Sequence, residues 1–202
     1  MALPKGKYQV FISHATGEDG KLTNWLAEAL DRLYIRAYVY ERYQRGGQNR
    51  FETIKKMINE CPYFLVILTK AGMLSQWVNQ EIGYAVAIGK EPIPVLEVDN
   101  GILVRSKGFV ELHDPVRFKR GDRIGLMAEI LHTLVYLLDE NKEWKDEYYF
   151  SCKCGNNFIG KLDFEELWYY WKERHEPQNY SWNCPKCKQK VTISFPDCHI
   201  VS

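Results

Sequence analysis

The run Tyr63-Phe-Leu-Val-Ile-Leu68 constrains the fold of this chain more than any other stretch. It is almost wholly apolar, so it reads as a strand buried on both faces, which requires a sheet covered by helices on each side. The flanking sequence supplies such helices. Before it come a short β-rich run, Tyr8 to Ser13, and a polar stretch, His14 to Gly20. Leu22, Trp25, Leu26, Ala29, Leu30 and Leu33 then recur at helical spacing. A second strand over residues 35–40, a polar loop from Glu41 to Asn49 containing Gly46-Gly47, and a helix marked by Phe51, Ile54, Met57 and Ile58 follow.

Beyond the central run, a helix is expected from about Ser75 to Gly89, with Gly89 as its C-terminal stop. Pro92 to Glu97 reads as a fourth strand, its prolines acceptable near a strand start. Gly108 to Leu112 reads as a fifth. Ile124, Met127, Ile130, Leu131, Leu134, Val135 and Leu138 mark the longest amphipathic helix. Alternation of this kind indicates βαβ units, here an α/β fold with a flavodoxin-like five-stranded parallel sheet flanked by helices over the first 140 or so residues.

The composition changes after Lys142-Glu-Trp-Lys-Asp-Glu147, which places a domain boundary near residue 145: one domain over residues 1–145 and a smaller one over 146–202. The formal net charge is +1, which gives no global basic field and no case for nucleic-acid binding from overall charge. Neither a signal-peptide core nor an apolar run near the roughly 18 residues of a membrane span is visible, so a cytoplasmic protein without membrane contact is expected.

The candidate site begins with Ser75-Gln-Trp77-Val-Asn-Gln-Glu81. If the helix opens near Ser75, Trp77 and Glu81 lie four residues apart on one face, one turn beyond the end of a buried strand. Open α/β sheets bind ligands in that region. An aromatic plane beside a carboxylate makes Glu81 a candidate catalytic group, against the plainer alternative of a solvated residue in an early helical turn. Ser75 is expected as the helix N-cap.

Several motifs together resemble the Toll/interleukin-1 receptor (TIR) domain family. Val10-Phe-Ile-Ser-His14 with Glu18-Asp19 resembles its opening strand and exit, and Gly46-Gly47 the loop after the second strand, on which family members assemble. Ser75, Trp77 and Glu81 resemble the family's serine–tryptophan–glutamate motif, and Pro92-Ile-Pro94-Val95 the strand after it. The match runs over roughly residues 7 to 138. Ala15, where a charged or aromatic residue is common, and Cys61, where serine is frequent, depart from the pattern.

Many TIR domains cleave NAD+ to nicotinamide and ADP-ribose or a cyclised isomer, as signals in defence. The resemblance implies that Glu81 is catalytic, that Trp77, Ser13, His14, Ser75, Gly46 and Gly47 contribute to substrate binding, and that the domain self-associates. The chemistry suits a lone glutamate. Glycosidases usually need two carboxylates, one to protonate the leaving group. Oxidised nicotinamide is already cationic and leaves neutral, so one carboxylate at the ribose suffices. The alternative is a non-catalytic adaptor acting through homotypic TIR assembly.

Five of the six cysteines fall between residues 152 and 198. Cys152-Lys-Cys154-Gly155 and Cys184-Pro-Lys-Cys187 each sit in a turn between β-rich segments, which suits two knuckles around one tetrahedral, structural Zn²⁺. This tail resembles a zinc ribbon; Cys198 and His199 are spare, and His175 is a remote alternative ligand. Phe164, Leu167, Trp168 and Trp171 recur at helical spacing beside Tyr169 and Tyr170, a face expected to dock on the larger domain or on a protein partner. Lys186, Lys188 and Lys190 suggest nucleic acid, but Asp163, Glu165, Glu166 and Glu173 interrupt any basic face.

Overall fold

A computed structural model describes residues 7–17, 19–44, 47, 49–99, 102–103, 114–140, 147–161, 163, 166, 168–169, 178–195 and 199–200. The elements are β1 (Val10–Ser13), α1 (Gly20–Arg32), β2 (Ala37–Tyr38), α2 (Tyr40–Tyr43), α3 (Arg50–Glu60), β3 (Tyr63–Leu68), α4 (Lys70–Leu74), α5 (Gln76–Ala87), β4 (Pro92–Asp99), β5 (Ile102–Leu103), β6 (Val116–Phe118), α6 (Arg123–Glu140), β7 (Glu147–Ser151), β8 (Asn157–Lys161), β9 (Gln178–Asn183), β10 (Lys190–Phe195) and β11 (His199–Ile200). The chain forms two compact units, Met1–Asp31 with Ile35–Gly121, and Arg32–Tyr34 with Asp122–Ser202. The expected boundary near residue 145 lies outside the described residues.

The first unit is a parallel sheet in the order β2-β1-β3-β4, with β6 parallel to β4 as the fifth strand and the short β5 antiparallel to the end of β4. Phe11, Phe64, Val66, Leu68 and Leu96 share a buried cluster with Ile54, Met57 and Ile58 of α3 and Val78, Ile82 and Ala85 of α5. Val10, Ile12, Leu65, Ile67 and Val95 alternate with these strand residues and are equally buried. Both faces of the sheet are therefore covered, as the apolar run of β3 requires. Each such side chain contributes about 1.5–3 kcal/mol by leaving water.

Local sequence explains the element ends. Thr69 Oγ1 accepts from the Gly72 amide at 3.0 Å and so caps α4. A Cβ on Gly72 would stand 2.5 Å from the carbonyl oxygen of Ile67, so only glycine lets α4 fold back this tightly on β3. Ser75 caps α5, and Gly89 ends it with a φ of 76°. Pro92 and Pro94 pair with β3, whereas the β6 ladder starts only at Val95, so neither proline breaks a two-sided ladder.

Two differences from the sequence reading stand out. Ladder pairing of the second strand is confined to Ala37 and Tyr38, and the polar segment that follows begins with the helical turn of α2. Tyr34 at a φ of 62° and the Ala37 amide donating to Asp31 Oδ1 bend the entry to this strand. The strand expected over 108–112 lies outside the described residues; the observed fifth parallel strand is β6.

In the second unit, β7 and β8 form one antiparallel hairpin and β9, β10 and β11 a three-stranded sheet. Val191, Ile193 and Phe195 of β10 supply buried apolar side chains, and Tyr180 and Trp182 of β9 stand opposite Ile193 and Val191 in the ladder. Trp168 stacks on His132 of α6, with ring centroids 4.2 Å apart. Tyr169 is exposed, and Phe164, Leu167, Tyr170 and Trp171 lie outside the described residues. Among the described residues, no helix is long and apolar enough to cross a membrane.

Candidate functional site

The sheet order reverses between β1 and β3, the two strands that leave β1 on opposite sides being β2 and β3, and polar side chains gather at their C-terminal ends. Ser13, the last residue of β1, is buried, and its Oγ donates to Glu81 Oε2 at 2.5 Å. Glu81 lies in the second turn of α5, is only 8% exposed, and has its carboxyl pushed up to about 7 by burial. The Ser13 hydrogen bond and the positive charge of Arg50 pull in the opposite direction, and Glu41 adds to the rise. A carboxyl so poised changes charge near neutrality.

Around this pair His14 and Trp77 meet three residues that the sequence did not single out, Tyr40, Glu41 and Arg50. His14 Nε2 lies 3.7 Å from Glu41 Oε2, and Glu41 Oε1 lies 3.7 Å from Arg50 Nη2. Burial holds the His14 imidazole below its usual pKa, so it is mainly neutral at pH 7 despite Glu41. The Arg50 guanidinium sits 4.6 Å from the centroid of Trp77 and 5.0 Å from that of Tyr40. Trp77 is 41% exposed, so it is not a core residue.

Ser75 is engaged as an N-cap, its Oγ accepting from the Val78 amide at 3.3 Å. Gly47 has a φ of 81° with open space where a Cβ would stand, and Gly46 lies outside the described residues. Thus Ser13, His14, Trp77 and Glu81 share one polar network with Tyr40, Glu41 and Arg50, while Ser75 serves the helix. The sequence did hold a signal for Arg50. Asn49 accepts from the amides of Phe51 and Glu52, the start of a capping pattern that fixes Arg50 as the first residue of α3.

A neighbouring network closes the same end of the sheet. Thr69 Oγ1 donates to Asp19 Oδ2 at 2.7 Å, and Arg120 pairs with both Asp19 and Glu97, its Nη2 donating to Glu97 Oε2 at 3.0 Å. Burial raises the Asp19 carboxyl, a shift opposed by Thr69 and Arg120. These contacts tie the exits of β1, β3 and β4 together. Cys61 is fully buried and its thiol is pushed up to about 12 by burial, so this departure from the motif packs the core and offers no thiolate.

The second unit brings four thiols together. Cys152, Cys154, Cys184 and Cys187 have their Sγ atoms all within 4.8 Å of one another. Cys152 and Cys187 are 3.5 Å apart and Cys154 and Cys184 are 3.7 Å apart, too long for disulfides. A tetrahedral ion with bonds of about 2.3 Å would set its ligands about 3.8 Å apart. The two knuckles share a backbone solution: the residue after the second cysteine, Gly155 or Lys188, has positive φ. The amides of Gly155 and Lys188 donate to the carbonyls of Cys152 and Cys184, each at 2.9 Å. The backbone amide of Cys187 and that of Lys186 draw the Cys184 thiol down to about 6, although desolvation opposes them. The arrangement suits a closed metal site.

The doubly wound sheet with a buried carboxylate at its switch point makes this an α/β domain with a candidate ligand crevice. Its sequence matches the family described as TIR domain over residues 10–124. The chain therefore belongs to the TIR domain family. No curated protein matches its sequence. Among solved structures it is similar to the TIR domains in the structure of the activated Roq1 resistosome directly recognising the pathogen effector XopQ. That likeness has 17% identity and a TM-score of 0.43, covering 67% of this chain and 76% of the other.

Proposed function

We propose that this TIR domain cleaves the nicotinamide–ribose bond of NAD+, releasing nicotinamide and ADP-ribose or a cyclic isomer. The observation that carries the reading is the Glu81 carboxyl, buried at the sheet's switch point and fixed by Ser13 at 2.5 Å. As the bond between the nicotinamide nitrogen and the ribose C1′ breaks, the bonding pair leaves with the ring and positive charge grows on the ribose. An ionised Glu81 stabilises that charge without any proton transfer. One preorganised interaction of this type contributes about 3–4 kcal/mol, or roughly 10²–10³ in rate.

Two features support the same chemistry. A cationic substrate favours the ionised form of a carboxyl whose pKa is near 7, so binding itself would prepare Glu81. The exposed Trp77 ring offers a stacking surface for the pyridinium, worth about 0.5–2 kcal/mol. Incubation with NAD+ and chromatographic separation of nicotinamide, ADP-ribose and cyclised product tests the activity and identifies the nucleophile.

The same reading includes self-association through the TIR domain, which the exposed Phe51, Leu74 and Trp77 favour. These residues equally favour the second reading, a non-catalytic adaptor, which requires no poised carboxyl at position 81. We further propose that Cys152, Cys154, Cys184 and Cys187 hold a structural Zn²⁺ in a zinc-ribbon-like module. Four thiolates leave the ion no open position, so it would supply folding free energy and no Lewis-acid chemistry. Reduced thiols and a dinucleotide substrate suit a cytoplasmic setting, and a signalling or defence role is that of the family.

A further inference from the structure

Arg50 is placed where a cation does little for its own helix. It is the first residue of α3, at the positive end of the helix dipole, where acidic side chains are the favourable choice. Its guanidinium lies instead across two aromatic rings, 4.6 Å from Trp77 and 5.0 Å from Tyr40. Glu41 holds it from one side at 3.7 Å, and its charge is felt by the Glu81 carboxyl. Its Nε is buried without a hydrogen-bond partner among the described residues, so the aromatic contacts carry much of what fixes this side chain.

Resting on the reading of the domain as an NAD+-cleaving enzyme, we propose that Arg50 is a resident cation in the seat that the substrate's pyridinium must take. The Trp77 face that the guanidinium covers has room for one cationic group, because two cannot occupy the same ring face and like charges at contact distance repel. The side chain must therefore leave the Trp77 ring before the nicotinamide stacks there. An incoming cation restores the ring–cation attraction that the departing guanidinium gave up; a neutral ring does not. Arg50 thereby makes the seat selective for the oxidised, positively charged cofactor and holds it closed when substrate is absent.

The probe is 1-methylnicotinamide, which carries the pyridinium charge without the dinucleotide, compared with uncharged nicotinamide on the full chain by calorimetric titration. Arg50→Gln should bind the cation about 3- to 30-fold more tightly than wild type, the size of a ring–cation contact. That gain should disappear when Trp77→Ala is added, and Arg50→Lys, which keeps the charge without the planar head, should fall between. Unchanged or weaker binding of the cation by Arg50→Gln overturns the proposal, as does the absence of binding to both proteins, given circular dichroism that shows each folded. Nicotinamide release from NAD+ by the wild type is scored separately. Release with no gain in the Arg50→Gln titration overturns the seat alone, and a gain without release by the associated wild type upholds the seat and removes the NAD+-cleaving reading.

Discussion

The Ser13 hydroxyl donates to Glu81 Oε2 at 2.5 Å, joining the end of β1 to the second turn of α5. The bond favours the ionised form of a carboxyl that burial otherwise protonates. Its removal in Ser13→Ala should move the acid limb of the pH–rate profile upward from about 7. A hydrogen bond to a charged group contributes about 1.5–3 kcal/mol, so the displacement should be roughly 1–2 pH units. Initial rates of nicotinamide release between pH 5 and about 9 would show it; an unmoved limb would separate Ser13 from the ionisation of Glu81.

The same carboxyl should cost stability at neutral and alkaline pH. Its pKa is raised from 4.5 to about 7 on folding, so the folded state holds the proton more tightly. The favourable contribution is complete below 4.5 and is lost as pH rises through about 7. The full effect of such a shift is on the order of 3 kcal/mol. Glu81→Gln, which stays neutral, should match wild type in urea unfolding at pH 4 and exceed it increasingly up to pH 8. A constant difference across that range would contradict the raised pKa.

Gly72 tests the packing behind the site. Gly72→Ala sets a methyl group 2.5 Å from the Ile67 carbonyl oxygen unless the backbone shifts. The loss should be about 1–3 kcal/mol, read as a lowered Tm in thermal unfolding. An unchanged Tm would show that α4 moves off β3 freely.

For the cysteine cluster, elemental analysis of protein purified without added metal should find about one zinc per chain. A strong chelator should release it and abolish the ordered signals of β9 and β10, since so small a sheet has little core of its own. Cys184→Ser should lower the metal content in the same assay. A folded, metal-free module would refute the site.

Much of the fold was readable because burial leaves a pattern in sequence. The apolar run of β3, the helical spacing of α1, α3 and α5, and the stop at Gly89 follow from which faces leave water and from where φ turns positive. The short helices α2 and α4 were not readable. They depend on a bend at Tyr34, on the Gly72 amide donating to the Thr69 cap, and on a close approach to Ile67, and helices of four and five residues are too short to leave a hydrophobic period. The site divides in the same way. Trp77 and Glu81 announced themselves by four-residue spacing on one helix. Tyr40, Glu41 and Arg50 join them only because the segment after β2 folds back over the start of α5, which no local spacing encodes.

The central claim is that Glu81 cleaves NAD+, and nicotinamide release by wild type and Glu81→Ala, followed side by side at pH 8 and at protein concentrations high enough for self-association, tests it most directly. The wild type should release nicotinamide with time. Glu81→Ala, folded by circular dichroism, should be slower by roughly 10²–10³. Equal release by the two proteins, or none from the associated wild type, would contradict the account.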